Sequence, residues 1–187
     1  MHHTRPVLQH NYRRQLMIDL EMQLRRADRL DAITKSLGFA LWQLQALEET
    51  TANYYVLVAL ATRGMGIEAG RKLDDSVKGN TFGKTIHALR DSGKMPSKIE
   101  QRFLALLKER NWLVHKSRAT NRGAVHDNQA CDSLLVRLDQ LAEEARLLLR
   151  EIGKASEKFV VQSGVPIEEV DRLTHEILNS WHSTTNE

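Results

Sequence analysis

Leucine returns at three- and four-residue steps along most of this chain, and that rhythm restricts the fold more than any other feature. Leu16, Leu20, Leu24, Ala27, Leu30 and Leu37 form one such series, with arginine and aspartate between them. A helix turns about 100° per residue, so these positions fall on one face and the charges on the other. A second series, Leu41, Leu44, Leu47, Tyr55, Leu57 and Leu60, follows at once. Only 3 prolines and 10 glycines interrupt 187 residues, and aromatic residues make up 5%. A sandwich or barrel needs more turn-forming and strand-forming residues than that. The chain therefore reads as all-α.

The spacing predicts a short flexible tail over residues 1–10, then a helix from about Tyr12 to Gly38 and another from Phe39 to Arg63, stopped by RGMG. Residues 64–80 read as a loop or a short helix, because DDSVKGN is polar and turn-forming. Thr81 can cap a short helix holding Phe82, Ile86 and Leu89, which SGKMPS ends. Ser97 with Glu100 has the spacing of a capping box, so a helix is expected from about Pro96 to Arg118. A polar loop over 119–129, a long helix from about Ala130 to Gly164 and a last one from Pro166 to Trp181 complete the pattern. The expectation is an up-down bundle of five or six helices in a single domain spanning residues 1–187.

Composition narrows the function classes. Hydrophobic residues at 41% and charged residues at 27% suit a folded globular chain. The formal net charge of +3 is compatible with a phosphate-bearing partner without requiring one. A lone cysteine, Cys131, cannot form an intrachain disulfide and fits a reducing compartment. The opening MHHTRPVLQH lacks the apolar segment of a secretory signal, and the longest apolar run, YYVLVALA at 54–61, is far too short to span a bilayer. A cytoplasmic protein without membrane association is expected.

The segment KERNWLVHKSR, Lys108 to Arg118, carries the chemistry. Phe103, Leu107 and Val114 lie within about 40° of one another around the helix, and Arg110 falls among them where a packing helix would place leucine. A guanidinium there needs an anion, a bound phosphate, a subunit interface or a carboxylate to meet it. Asn111 and His115, four residues apart, share a face to one side of that stripe, flanked by Lys108 and Arg118. Such a set suits phosphodiester chemistry on RNA. An imidazole, with an ordinary pKa of about 6.5, can move a proton to or from a ribose 2′-hydroxyl. A guanidinium can pair with two phosphate oxygens as charge builds on phosphorus. Asn111 can orient the histidine or hold a phosphate oxygen, and no metal or other cofactor is required.

Arg110-Asn111-Trp112-Leu113-Val114-His115 resembles the Arg, polar residue, three residues, His signature of the HEPN superfamily, and TFGKTIHAL with LLKE resembles segments that precede it in bacterial members. The resemblance covers roughly residues 40–150 and is closest from Thr81 to Arg118. It implies an α-helical bundle, commonly a homodimer, acting as a metal-independent endoribonuclease in toxin–antitoxin, antiviral-defence or RNA-processing systems. It implies that Arg110 is the phosphate-binding cation, His115 the general acid/base and Asn111 the supporting polar residue. Both copies would contribute to one cleft, leaving a 2′,3′-cyclic phosphate on single-stranded RNA. Lys108, Lys116 and Arg118 would bind substrate, and an antitoxin or other regulatory protein would be a further partner. The alternative keeps the fold without the catalysis, as a module binding nucleotide or a protein partner in such a system.

Other residues carry less. Glu48 and Glu49 are carboxylates that can support Arg110 or join the site as acidic members. His87, His126 and Cys131 match no familiar zinc spacing. Lys84 in TFGK lacks the glycine-rich run and preceding strand of a phosphate loop. His126 is expected in solvent or near RNA, and Trp112, opposite the stripe, is expected in the core or as a platform for a base. Arg13, Arg14, Arg25, Arg26 and Arg29 read as a solvated face, or alternatively as contacts to RNA.

Overall fold

The computed structural model describes the backbone of residues 5–183 and the side chains of residues 13–181. All regular structure among the described residues is helical, so the chain is all-α. Among the described residues there are seven α-helices: α1 (Arg5–Tyr55), α2 (Ile67–Lys78), α3 (Phe82–Asp91), α4 (Ser97–His115), α5 (Ser117–Thr120), α6 (Asn128–Gln162) and α7 (Ile167–Ser183).

The first two expected helices are one. α1 runs 51 residues through Gly38 and passes into a π-helical turn, Val56–Leu60, closed by the Ala61 N–H on the Val56 carbonyl at 2.8 Å. Glycine inside a helix costs only about 1 kcal/mol relative to alanine, too little to stop a helix whose neighbours favour it. Gly38 lacks the positive φ of the glycines that follow helix ends, Gly93 at 67° after α3 and Gly164 at 95° after α6. Residues 5–10, expected in a tail, belong to α1; residues 1–4 lie outside the described residues. Proline is tolerated in a first helical turn, so Pro6 does not interrupt it.

The chain divides into two compact units, each drawn from separate stretches: Met1–Leu44 with Lys108–Glu144, and Gln45–Leu107 with Ala145–Glu187. In the second unit Ala52, Val56 and Val77 form a buried cluster with Tyr55, Leu60 and Leu73 packed against it. Leu73 and Val77 are one turn apart on α2, which explains why the 64–80 segment folds as a helix despite its polar composition. Phe82 and Phe103 meet with ring centroids 6.2 Å apart, and both are buried. The Thr81 hydroxyl accepts the Lys84 N–H at 3.4 Å and caps α3, as the sequence predicts.

In the first unit Leu113, Ala124, Cys131, Leu134, Leu138 and Leu141 are buried. The expected loop at 119–129 is mostly helical: α5 and a 3₁₀ turn, Arg122–Val125, occupy it. Asp127 then caps α6, its carboxylate accepting the Ala130 N–H at 2.7 Å. Burial of the Cys131 thiol pushes its pKa upward. Along the amino-terminal part of α1, by contrast, Leu16, Met17, Leu20, Met22 and Leu24 are all at least half exposed. No helix among the described residues is long and apolar enough to cross a membrane.

Candidate functional site

The last turns of α4 lie in the first unit. Leu106 and Leu113 face inward at 2% and 3% exposure, and Val114 is 47% exposed. On the stripe that carries Arg110, Phe103 is fully buried and Val114 open. Arg110 is half-buried, while Lys108, Asn111 and His115 are exposed. Neither the Asn111 nor the His115 side chain makes a hydrogen bond among the described residues, so amide and imidazole are available to a ligand.

The opposite side of α4 is tied down. Glu109 takes two hydrogen bonds from Arg137, at 2.8 and 3.1 Å, and the same guanidinium lies 3.4 Å above the Trp112 ring. A planar cation that pairs with a carboxylate through one edge and stacks through its face restricts rotation of the helix end. The Trp112 indole N–H donates to the Thr120 hydroxyl at 3.1 Å. Trp112 is therefore neither fully in the core nor free for a base on the face that Arg137 covers.

Lys116 leaves the helical conformation, at φ −129° and ψ −18°, and ends α4 three residues before the expected Arg118. The Ser117 hydroxyl donates to the Leu113 carbonyl at 2.6 Å and the Asn121 amide to the Ser117 carbonyl at 2.8 Å, so α5 is anchored against the end of α4. Lys116 and Arg118 are exposed. A helix C-terminus carries partial negative charge that repels phosphate. Arg110, Lys108, Lys116 and Arg118 supply the positive charge that opposes it.

Glu48 and Glu49 belong to the second unit. Glu49 pairs with Lys78 at 3.3 Å, and Lys78 also meets Asp74 at 2.8 Å. Asp74, the nearer partner, contributes most to raising the Lys78 pKa. Both glutamates line a cavity of about 200 Å³ with Lys78, Asn80 and Thr85, and no residue from the end of α4 borders it.

Asn121 and Arg122 carried no expectation from the sequence, and Arg26 and His126 only that of a solvated residue or an RNA contact. Arg26, Asn121, Arg122 and His126 line, with Arg118, a cavity of about 470 Å³ in the first unit. A sequence signal for part of this group exists: Arg118, Arg122 and His126 recur every four residues, a step that means little in a presumed loop and much in a run of helical turns. Arg29, expected in a solvated face or near RNA, instead donates to the Val125 carbonyl at 3.1 Å and to the Asn128 side chain. No group of three or more His, Cys, Asp or Glu among the described residues is placed to hold a metal ion. Comparison with protein-family models, with curated proteins and with solved structures finds no match to this chain.

Proposed function

We propose that the chain is a metal-independent endoribonuclease of the HEPN type, a cytoplasmic homodimer of up-down helical bundles that cuts single-stranded RNA in a toxin or antiviral-defence setting. The observation that carries this reading is the end of α4. An arginine, an amide and an imidazole sit within two turns, with Asn111 and His115 open to a ligand and the reverse side braced by Glu109, Arg137 and Trp112.

The chemistry follows from the groups. His115, as the neutral imidazole, takes the proton from a ribose 2′-hydroxyl while the 2′-oxygen bonds to phosphorus. The bond from phosphorus to the 5′-oxygen breaks, and an imidazolium from the second copy protonates the leaving oxygen. Arg110 pairs with the non-bridging oxygens as negative charge grows on them, and Asn111 holds the phosphate or the imidazole in line. Lys108, Lys116 and Arg118 bind neighbouring phosphates, in contacts weakened by salt. An antitoxin or other regulatory protein is a further partner in this reading.

The second reading, a non-catalytic module that binds nucleotide or a protein partner, is favoured by the exposed leucines and methionines of α1, an apolar surface of the kind that marks interaction sites.

The test is a cleavage assay on labelled single-stranded RNA in excess chelator, comparing the parent with Arg110→Ala and His115→Ala after each is shown to fold. Cyclic-phosphate ends from the parent, lost in both variants, are expected. No cleavage of any RNA by a folded dimer would sink the enzyme and leave the binding module.

A further inference from the structure

The cavity beside α5 gathers arginines without carboxylates, whereas the neighbouring cavity that Arg26 also lines includes Asp19 and Asp127. Its rim carries three guanidinia from three separate elements: Arg26 of α1, Arg118 of α5 and Arg122 of the 3₁₀ turn. No carboxylate is among the residues that line it. None of the three guanidinium groups has an ion pair or hydrogen bond among the described residues. Four other arginines are ion-paired, Arg25 with Glu21, Arg90 with Asp91, Arg137 with Glu109 and Arg172 with Glu169, while Arg63, Arg71 and Arg150 share the unpaired state among the described residues without sharing a cavity.

Its floor is of the opposite kind. Leu134 and Leu138 are buried, Ile33 and Leu37 are half-buried, and all four line the cavity. The frame is already built: Arg29 ties α1 to the Val125 carbonyl, and the Ser117, Asn121 and Asp127 side chains hold the turns between α4 and α6. Like charges gathered without counter-charge disfavour the unliganded state, and an anion removes that cost. A bare inorganic anion leaves the aliphatic floor wet, whereas a ligand with an apolar body covers it. The volume, about 470 Å³, lies in the ordinary range for small-molecule sites, roughly 300–1,000 Å³.

We propose that this cavity binds a small phosphate monoester with an apolar body, its head on Arg26, Arg118 and Arg122 and its body on Ile33, Leu37, Leu134 and Leu138. The guanidinium fork suits a phosphate head, which it can meet through two parallel hydrogen bonds. No phenylalanine, tyrosine or tryptophan lines the cavity, so the stacking platform that sites for single-stranded nucleic acid use is missing. An aliphatic body fits this floor better than a nucleobase. The proposal stands apart from RNA cleavage, with which it shares only Arg118.

Calorimetric titration of the full chain with hexyl phosphate, adenosine monophosphate, inorganic phosphate and hexanol tests it. Hexyl phosphate is expected to bind at least about tenfold more tightly than inorganic phosphate or hexanol, because head and body act together. Arg26→Gln combined with Arg122→Gln is expected to lower that affinity at least about tenfold, both residues being exposed and outside any ion pair. Ile33→Gln is expected to abolish the preference over inorganic phosphate. Tighter binding of adenosine monophosphate, with the same dependence on Arg26 and Arg122, would keep the site and assign it to a nucleotide. No binding of either ester at millimolar concentration would overturn the proposal, as would equal binding of hexanol or an affinity untouched by the double substitution. If both esters fail and a short RNA oligonucleotide binds through Arg26 and Arg122, the groove belongs to RNA and the proposal is wrong.

Discussion

The two sides of the last turns of α4 have been treated in opposite ways. On one side polar groups are joined in a chain: Glu109 is paired with Arg137, Arg137 covers Trp112, and Trp112 donates to Thr120. On the other, the Asn111 and His115 side chains are exposed and make no hydrogen bond among the described residues, and Val114 lies beside them open to solvent. Polar groups that hold a structure are satisfied within it, and groups kept ready for a ligand are left unsatisfied on a rigid support.

The largest effect expected from breaking this contrast is on the open side. On the proposed mechanism His115 is the proton shuttle, and His115→Ala should lower the RNA cleavage rate by roughly 10² to 10⁴, the usual contribution of general acid–base catalysis. The unfolding midpoint should hardly move, since His115 packs against little. A large drop in thermal stability with cleavage intact would make His115 a structural residue. On the inner side the sign of the contrast reverses. Leu113→Ala leaves a hole at a position 3% exposed, and should cost about 2–5 kcal/mol in urea unfolding. A loss below about 1 kcal/mol would mean that Leu113 does not anchor the end of α4.

Arg137→Lys tests the brace between these extremes. Lysine keeps the charge but loses the two-pronged pairing with Glu109 and the stacked plane over Trp112. Side chains of the pair are 41% and 42% exposed, so solvent screening holds the expected loss to about 1 kcal/mol. The sharper readout is cleavage. If the brace orients the catalytic face, the rate should fall several-fold more than stability explains, and Arg137→Met with Glu109→Gln should not restore it. A rate unchanged in Arg137→Lys would reduce the brace to a stabilising contact.

How much of this was legible beforehand depends on how local the controlling physics is. The α3 cap at Thr81 and the start of α4 within one residue of its expected place follow from side chains acting on adjacent backbone. So does the placement of Asn111 and His115 on one face. The break expected at Gly38 failed because Gly38 keeps the helical backbone, whereas Gly93 and Gly164, just past the ends of α3 and α6, take a positive φ. The sequence around a glycine does not say which it will do. α2 was ambiguous because its polar composition resembles a turn, and what decides for helix is Val77 meeting Ala52 and Val56 from a distant stretch. The cavity was hidden for the same reason. Arg26 in a charged helix and Arg122 in a polar connection look like two solvated cations until the fold brings them to one rim.

Val114→Ser carries the smallest expected effect on folding and separates two explanations of the open side. Val114 is 47% exposed, so a polar substitution there should change unfolding free energy by no more than about 0.5 kcal/mol. If the face is simply left to solvent, nothing else should change. If a second copy covers it, as the proposed composite cleft requires, valine is buried on association, and the dimer dissociation constant measured by sedimentation should rise several-fold, since each lost methylene-sized contact costs about 0.8 kcal/mol. The pairing of an unchanged unfolding curve with a weakened dimer is the outcome that joins Arg110's place on an apolar stripe to assembly. An unchanged dimer would move the subunit contact elsewhere, to a surface such as the exposed leucines of α1, and would leave His115 to act within a single chain.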